Sequence, residues 1–160
     1  MLVGFLDERD VVVTGTTSRN SPDWDDTWGG VAPEQIVTAH ITSAVPMLGR
    51  SVGGPSDPVT VRWTDNGNVS QVVRMVDEVL GFLQDCRDEL VDAAQVADEA
   101  YGFDPLPDDW FDTLVLRSAG FTVGHDGVVR TTIHCLDTVN ELGVTEVLIA
   151  GTDPAVMFWT

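Results

Sequence analysis

The sequence contains no lysine. All eight of its basic residues are arginine, and they stand against 26 acidic residues, so the 160-residue chain carries a formal net charge of −18. Without lysine, the chain has no phosphate-loop lysine, no Schiff-base lysine and no lysine general base. A surface of this charge repels phosphate groups, so we expect no direct nucleic-acid partner and no membrane partner.

Cysteine and long apolar runs are scarce as well. The two cysteines, Cys86 and Cys135, cannot build a disulfide framework, and we expect both thiols to be free. No apolar run approaches the roughly 20 residues of a membrane-spanning helix. The apolar residues 1–6 lack a basic region and a small-residue cleavage site, so we expect no signal peptide.

The chain does contain enough apolar residues for a folded core. Hydrophobic residues make up 43% of the sequence, which is too many for an intrinsically disordered acidic chain. The length indicates a single domain spanning residues 1–160. Residues 18–33 are rich in Gly, Pro and Asp and are predicted to form a loop or an extended arm.

Most of the acids are aspartate, with 19 Asp against 7 Glu. In molar salt the Debye length falls to about 3 Å, which screens the self-repulsion that such a surface suffers in dilute buffer. This balance, together with the abundant Val and Thr, resembles that of proteins from extreme halophiles such as the haloarchaea and their viruses. The resemblance is compositional and implies a virion or a cytoplasm at high salt, with bulk cations at the acidic surface. A GC-rich actinobacterial source is the alternative explanation.

Short β-branched runs predict a sheet. We predict strands at residues 10–17, 35–45, 59–64, 113–117, 121–123, 128–136, 144–150 and 155–159. The His125-Asp126-Gly127 turn predicts a hairpin. The fold class is therefore α+β, with a mostly antiparallel sheet and one dominant helix packed on it.

That helix is predicted over about residues 69–101. Apolar side chains recur there at intervals of three and four and trace one face, while acids occupy the opposite face. At 1.5 Å per residue the helix would be about 50 Å long, longer than a compact domain of this size. Either Gly81 kinks or breaks it, or its far end projects toward another subunit.

No motif in the sequence indicates catalysis. His40, His125 and His134 have no metal-ligand spacing, and the chain lacks a Gly-x-Ser-x-Gly nucleophile turn and a dinucleotide fingerprint. The acidic groups Asp23/Asp25/Asp26 and Asp108/Asp109/Asp112 do not match a calcium loop. We therefore assign no catalytic, cofactor-binding or metal-binding residue and expect no enzyme.

Aromatic residues near acids or near the chain ends are the predicted contact residues. Trp24 and Trp28 lie in the predicted loop, Trp110 lies in a second acidic segment, and Phe158 and Trp159 lie just before the last residue. Exposed tryptophans often mark a protein contact surface. Apolar ends such as residues 1–6 and 156–159 need cover from their own sheet or from a neighbouring subunit.

These features favour a structural subunit of a larger homo- or hetero-oligomeric assembly. The specific hypothesis is a ring-forming neck or tail component of a halophilic tailed virus. One alternative is an acidic module that captures a basic partner, which clustering of the acids on one side would favour. The second alternative is a small metal-dependent hydrolase, which a deep pocket holding His134 or His40 against two carboxylates would favour.

Overall fold

The computed structural model describes residues 4–18, 35–64, 67–101, 106–136 and 144–159. These residues form an α+β fold with a mostly antiparallel, mixed sheet, which confirms the predicted class. The strands are β1 (Val11–Ser18), β2 (Gln35–Ile41), β3 (Val45–Met47), β4 (Arg50–Val52), β5 (Val59–Thr64), β6 (Val115–Val123), β7 (Val129–Leu136), β8 (Val144–Ala150) and β9 (Asp153–Trp159). The helices are α1 (Val69–Leu83), α2 (Arg87–Tyr101) and the short α3 (Trp110–Thr113).

Seven strands form the main sheet in the order β1-β2-β5-β6-β7-β8-β9, and β3 pairs with β4 in a separate hairpin. Neighbouring strands of the main sheet are antiparallel except β5 and β6. That one parallel pair requires a crossover, and the segment containing the helices supplies it. The predicted turn at residues 125–127 joins β6 to β7, as expected.

The core lies between one face of the sheet and the helices. Side chains alternate along β7 between buried and half-buried, because successive residues of a strand point to opposite faces. Val76 and Leu80 of α1 join Phe121, Ile133 and Val147 of the sheet in one hydrophobic cluster. The predicted apolar stripe of α1 is thus confirmed as a core-facing surface.

The prediction of one continuous helix over residues 69–101 was wrong, because this segment forms two helices, α1 and α2. Gly81 lies inside α1, and the break falls three residues later, at residues 84–86. The Leu48 N–H of the β3–β4 hairpin donates to the Leu83 carbonyl at 3.0 Å. The Gln84 side-chain amide donates to the carbonyls of Pro46 and Leu80 at 2.8 and 2.9 Å. The carbonyls of Leu83 and Leu80 are thus satisfied by the hairpin and by the Gln84 side chain, which lets the helix end there.

Several strand boundaries also differ from expectation. The strand predicted at 35–45 ends at Ile41, and Val45 begins the short β3. The segments predicted at 113–117 and 121–123 belong to one strand, β6, with a register irregularity between Leu116 and Ser118. The strands predicted at 59–64 and 144–150 are confirmed at both ends.

The described part of the N-terminal segment lies beside α1. The Asp77 carboxylate accepts hydrogen bonds from the backbone N–H groups of Phe5 and Leu6, at 2.5 and 2.9 Å. Leu6 is buried and belongs to the hydrophobic cluster, whereas Phe5 is 41% exposed. The chain itself therefore provides cover for part of its apolar beginning.

Candidate functional site

β1 is an edge strand that carries no charged residue. Its sequence is Val-Val-Val-Thr-Gly-Thr-Thr-Ser, and residues 12–17 are all exposed. Val12 and Val13 have exposed fractions of 48% and 47%. Monomeric proteins usually protect an edge strand with charge, proline, a β-bulge or a covering element, because its free N–H and C=O groups can pair with another chain. Of these devices, β1 has a register irregularity between Val13 and Gly15 but no charge and no proline.

The strand at the opposite edge of the sheet, β9, has features that monomeric proteins use to prevent pairing with another chain. β9 begins with Asp153 and Pro154, and proline has no N–H to donate to another strand. Helix α2 packs closely against β9. The two edges therefore differ: β9 is flanked by a helix and contains a proline, whereas the described residues pair β1 only with β2.

The charge of the described residues is distributed unevenly between the two layers. Residues 69–101, which form α1, α2 and their connection, carry eight acids and two arginines. The seven strands of the main sheet carry two acids, Glu146 and Asp153, and three arginines, Arg62, Arg117 and Arg130. Such clustering of acids favours the alternative of an acidic module that captures a basic partner. Among these elements, a second acidic copy would meet stronger repulsion at the helices than at the strands.

The face of the sheet opposite the core holds a chain of three polar side chains on adjacent strands. Ser118 Oγ lies 3.2 Å from His134 Nδ1, and His134 Nε2 lies 2.9 Å from Glu146 Oε2. These residues are neighbours because the strand register places Ser118 opposite His134 and His134 opposite Glu146. With its proton on Nε2, the imidazole would donate to Glu146 and accept the serine hydroxyl proton at Nδ1.

A depression of about 500 Å³ adjoins this chain. Ser118, His134, Arg62, Thr122 and Asp57 are among the residues that line it. The Arg62 guanidinium also lies 3.4 Å from Thr122 Oγ1. The depression thus brings together a hydroxyl, an imidazole and a guanidinium, which is a donor set suited to an anionic or carbonyl-bearing small molecule.

The predicted contact aromatics lie in different places. Trp110 and Phe158 are buried at 1% and 5% exposure and belong to the core of the chain itself. Because α3 and β9 place the rings of Trp110 and Phe158 in the core, these two residues offer no exposed contact surface. Trp159 ends β9, and Trp24 and Trp28, with the predicted arm at 18–33, lie almost wholly outside the described residues.

The acidic groups that were considered as cation ligands in the sequence do not converge in the described part of the chain. Within it, no group of three or more His, Cys, Asp or Glu side chains converges as metal ligands. Asp108, Asp109 and Asp112 are all exposed, and Asp112 forms an ion pair with Arg87 at 3.3 Å. The group at residues 23–26 lies outside the described residues. None of the described helices is long and apolar enough to cross a membrane.

From the sequence, His134 was named as a candidate for a hydrolase site, but the edge position of β1 and the partners Ser118 and Glu146 were missed. The β-branched pattern predicted a strand at the uncharged residues of β1, but no local pattern showed that this strand lies at the edge of the sheet. Ser118, His134 and Glu146 are up to 28 positions apart, and only the strand register brings them together. Comparison with protein-family models, with curated proteins and with solved structures found no match.

Proposed function

We propose that this protein is a non-enzymatic structural subunit that assembles with copies of itself and with other protein subunits. The observation that carries the proposal is the exposed, uncharged edge strand β1 in a chain of net charge −18. Long uncharged edges promote association, and a chain that must remain monomeric usually avoids them.

A second exposed apolar site supports the same proposal. Val115 of β6 and Leu136 of β7 are cross-strand partners at one end of the sheet, and they are 53% and 39% exposed. Together with Val12 and Val13, they place apolar side chains at two separated parts of the surface. A subunit with neighbours on two sides needs two such surfaces.

The finer form of the proposal is a subunit of a high-salt assembly, in a virion or in the cytoplasm of a halophile. Its most specific version is a ring-forming neck or tail component of a halophilic tailed virus. The support is the lysine-free, aspartate-rich composition and the small α+β fold. In such an environment, salt would screen the repulsion between copies while the apolar edge remained available.

The test is the absolute molar mass in solution, measured by light scattering on a size-exclusion column in molar KCl and again in dilute buffer. We expect a defined oligomer in molar KCl and a smaller species in dilute buffer. A folded monomer of 17.3 kDa in both buffers at high protein concentration would contradict the proposal. If that monomer bound a polyarginine peptide with strong salt dependence, capture of a basic partner would replace assembly as the proposed function.

A second candidate function is ester hydrolysis, and the Ser118–His134–Glu146 chain is the observation that favours it. Ser118 would attack an ester carbonyl while its proton moved to His134 Nδ1. The alcohol would leave with that proton, and water would then release the acid from the acyl-serine. No metal enters this chemistry, so it differs from the metal-dependent hydrolase that the sequence suggested.

The hydrolase candidate is tested with p-nitrophenyl acetate in molar KCl. A genuine activity would fall about 100-fold or more in Ser118→Ala and in His134→Gln. The matched control is Ser51→Ala, which removes another exposed strand hydroxyl, on β4. Equal rates for the wild type and Ser118→Ala would exclude Ser118 as a nucleophile.

A further inference from the structure

The outer edge of β1 can be assigned from the hydrogen bonds at the start of the strand. The Asp10 carbonyl accepts the Thr42 N–H at 2.8 Å, so the Asp10 backbone faces β2. In an antiparallel pair, residues alternate between facing the partner strand and facing away from it. Asp10 and Val12 therefore face β2, whereas the N–H and C=O groups of Val13 face outward.

The strand offers no charged side chain that would oppose a copy of itself. Six of its eight residues are Val or Thr, which are β-branched residues that stabilise cross-strand pairs. The register shifts between Val13 and Gly15, and a bulge of this kind bends the strand and is itself a means of edge protection. It adds neither charge nor proline, so the outward N–H of Val13 is still available. Two copies of β1 can therefore face each other without a like-charge pair, although the chains as a whole repel.

The distribution of charge also indicates whether the β1 edge suits a second copy of this chain or a different, basic protein. A basic partner would be attracted to the acidic helical layer at residues 69–101, not to a neutral strand. A copy of this chain, with its own net charge of −18, is repelled by that layer, so the uncharged strand is a less repulsive approach than the helices. Within the described part of the sheet, β9 carries a proline and contacts a helix, which leaves β1 as the edge on which a copy can pair.

We propose that β1 pairs antiparallel with β1 of a second copy, so that two seven-stranded sheets become one continuous sheet across a twofold axis. This inference rests on the proposed assembly function and specifies which strands join two copies of the chain. An antiparallel pairing of identical strands is isologous, so it closes at two copies. Larger assemblies built on it must contain an even number of chains.

The first test removes the outward donor of Val13 and leaves the hydrogen bonds to β2 in place. Val13→Pro deletes the outward N–H, while the N–H groups that face β2 remain. The matched control is Val13→Thr, which keeps the N–H and a β-branched side chain. In molar KCl we expect wild type and Val13→Thr to have an even multiple of the 17.3 kDa chain mass. Val13→Pro should have half the wild-type mass if the wild type is a dimer, with Kd raised at least 100-fold.

The second test does not depend on proline being tolerated. Single cysteines are introduced along residues 12–17 and oxidised under mild conditions. The native thiols of Cys86 and Cys135 are buried, so they contribute little background. In an antiparallel pair only the position nearest the twofold axis lies opposite its own copy, so self-cross-linking should peak at one position. A parallel pair would cross-link at several alternate positions, and a pairing of β1 with β9 at none.

The outcomes separate this inference from the proposed function. A wild-type oligomer that keeps its mass in Val13→Pro, or one with an odd number of chains, overturns the β1 pairing and leaves assembly standing. A wild-type monomer under all salt conditions overturns both. A single cross-linking maximum, with an even-numbered wild type, supports the pairing even where Val13→Pro does not fold.

Discussion

Arg50 connects three elements through one planar side chain. Its guanidinium donates to the Leu48 carbonyl at 2.6 Å and to the Phe111 carbonyl, and its Cζ lies 4.9 Å from the centre of the Phe111 ring. Lysine would keep the charge but would lose the planar fork and its stacking on the ring. We expect Arg50→Lys to lower the free energy of unfolding by about 1–3 kcal/mol, measured by urea denaturation in molar KCl.

The matched control for Arg50 is Arg74→Lys, an exposed position on α1. Surface substitutions of this kind usually change stability by less than about 0.5 kcal/mol. If the two variants lost equal stability, the contacts of Arg50 would contribute no more than an exposed arginine does.

Cys86 is a buried thiol, and its burial raises its pKa to about 11, with the nearby Glu89 adding to the shift. At pH 8 only about one thiol in a thousand would then be ionised, and the thiolate is the reactive form. We expect Ellman's reagent to label neither cysteine in the folded protein and both in urea. Rapid labelling of the native protein would show that residues 84–86 open readily.

At the scale of elements, Asp77 attaches the N-terminal segment to α1. One carboxylate oxygen accepts from both Phe5 and Leu6, and Ser70 on the same helix donates to Glu8 at 2.9 Å. Asp77→Ala removes the acceptor, so we expect faster hydrogen exchange at residues 5 and 6 and a stability loss of about 1 kcal/mol. The core strands should keep their protection.

Asp77→Asn is the control for this attachment, since its amide oxygen can still accept the two backbone N–H groups. We expect the asparagine variant to keep most of the protection at residues 5 and 6. If Asp77→Ala exchanged at the wild-type rate, burial of Leu6 alone would be sufficient to hold the segment.

At the scale of the whole molecule, the net charge of −18 governs the response to salt. Repulsion among the acids is strongest at residues 69–101, and potassium chloride screens it. We expect the free energy of unfolding in urea to rise on the order of 1–3 kcal/mol between 0.05 and 2 M KCl. Most of that rise should occur below about 0.5 M, where the Debye length shortens fastest.

The shape of the salt curve distinguishes screening from a general strengthening of apolar burial. Screening saturates, whereas salting-out continues to rise with concentration. A stability that is independent of KCl would contradict the halophilic interpretation of the composition.

Local patterns predicted much of the fold. Alternation and β-branched residues located β5 and β8 at both ends, because a half-buried strand repeats every two residues whatever its neighbours are. The apolar stripe of α1 was equally visible. The end of α1 was not, because the Leu48 N–H of a distant hairpin satisfies the Leu83 carbonyl and Gln84 donates to the hairpin at Pro46.

For the candidate sites, the residue types and their charge follow from the sequence, whereas their positions in space depend on the tertiary structure. The absence of charge in β1 and the acidity of residues 69–101 are properties of the residues alone. Strand order decided that β1 lies at an edge, and register decided that Ser118, His134 and Glu146 meet. Packing decided that Trp110 and Phe158 face inward. Strand order, register and burial depend on contacts between residues far apart in the chain, which no local pattern encodes.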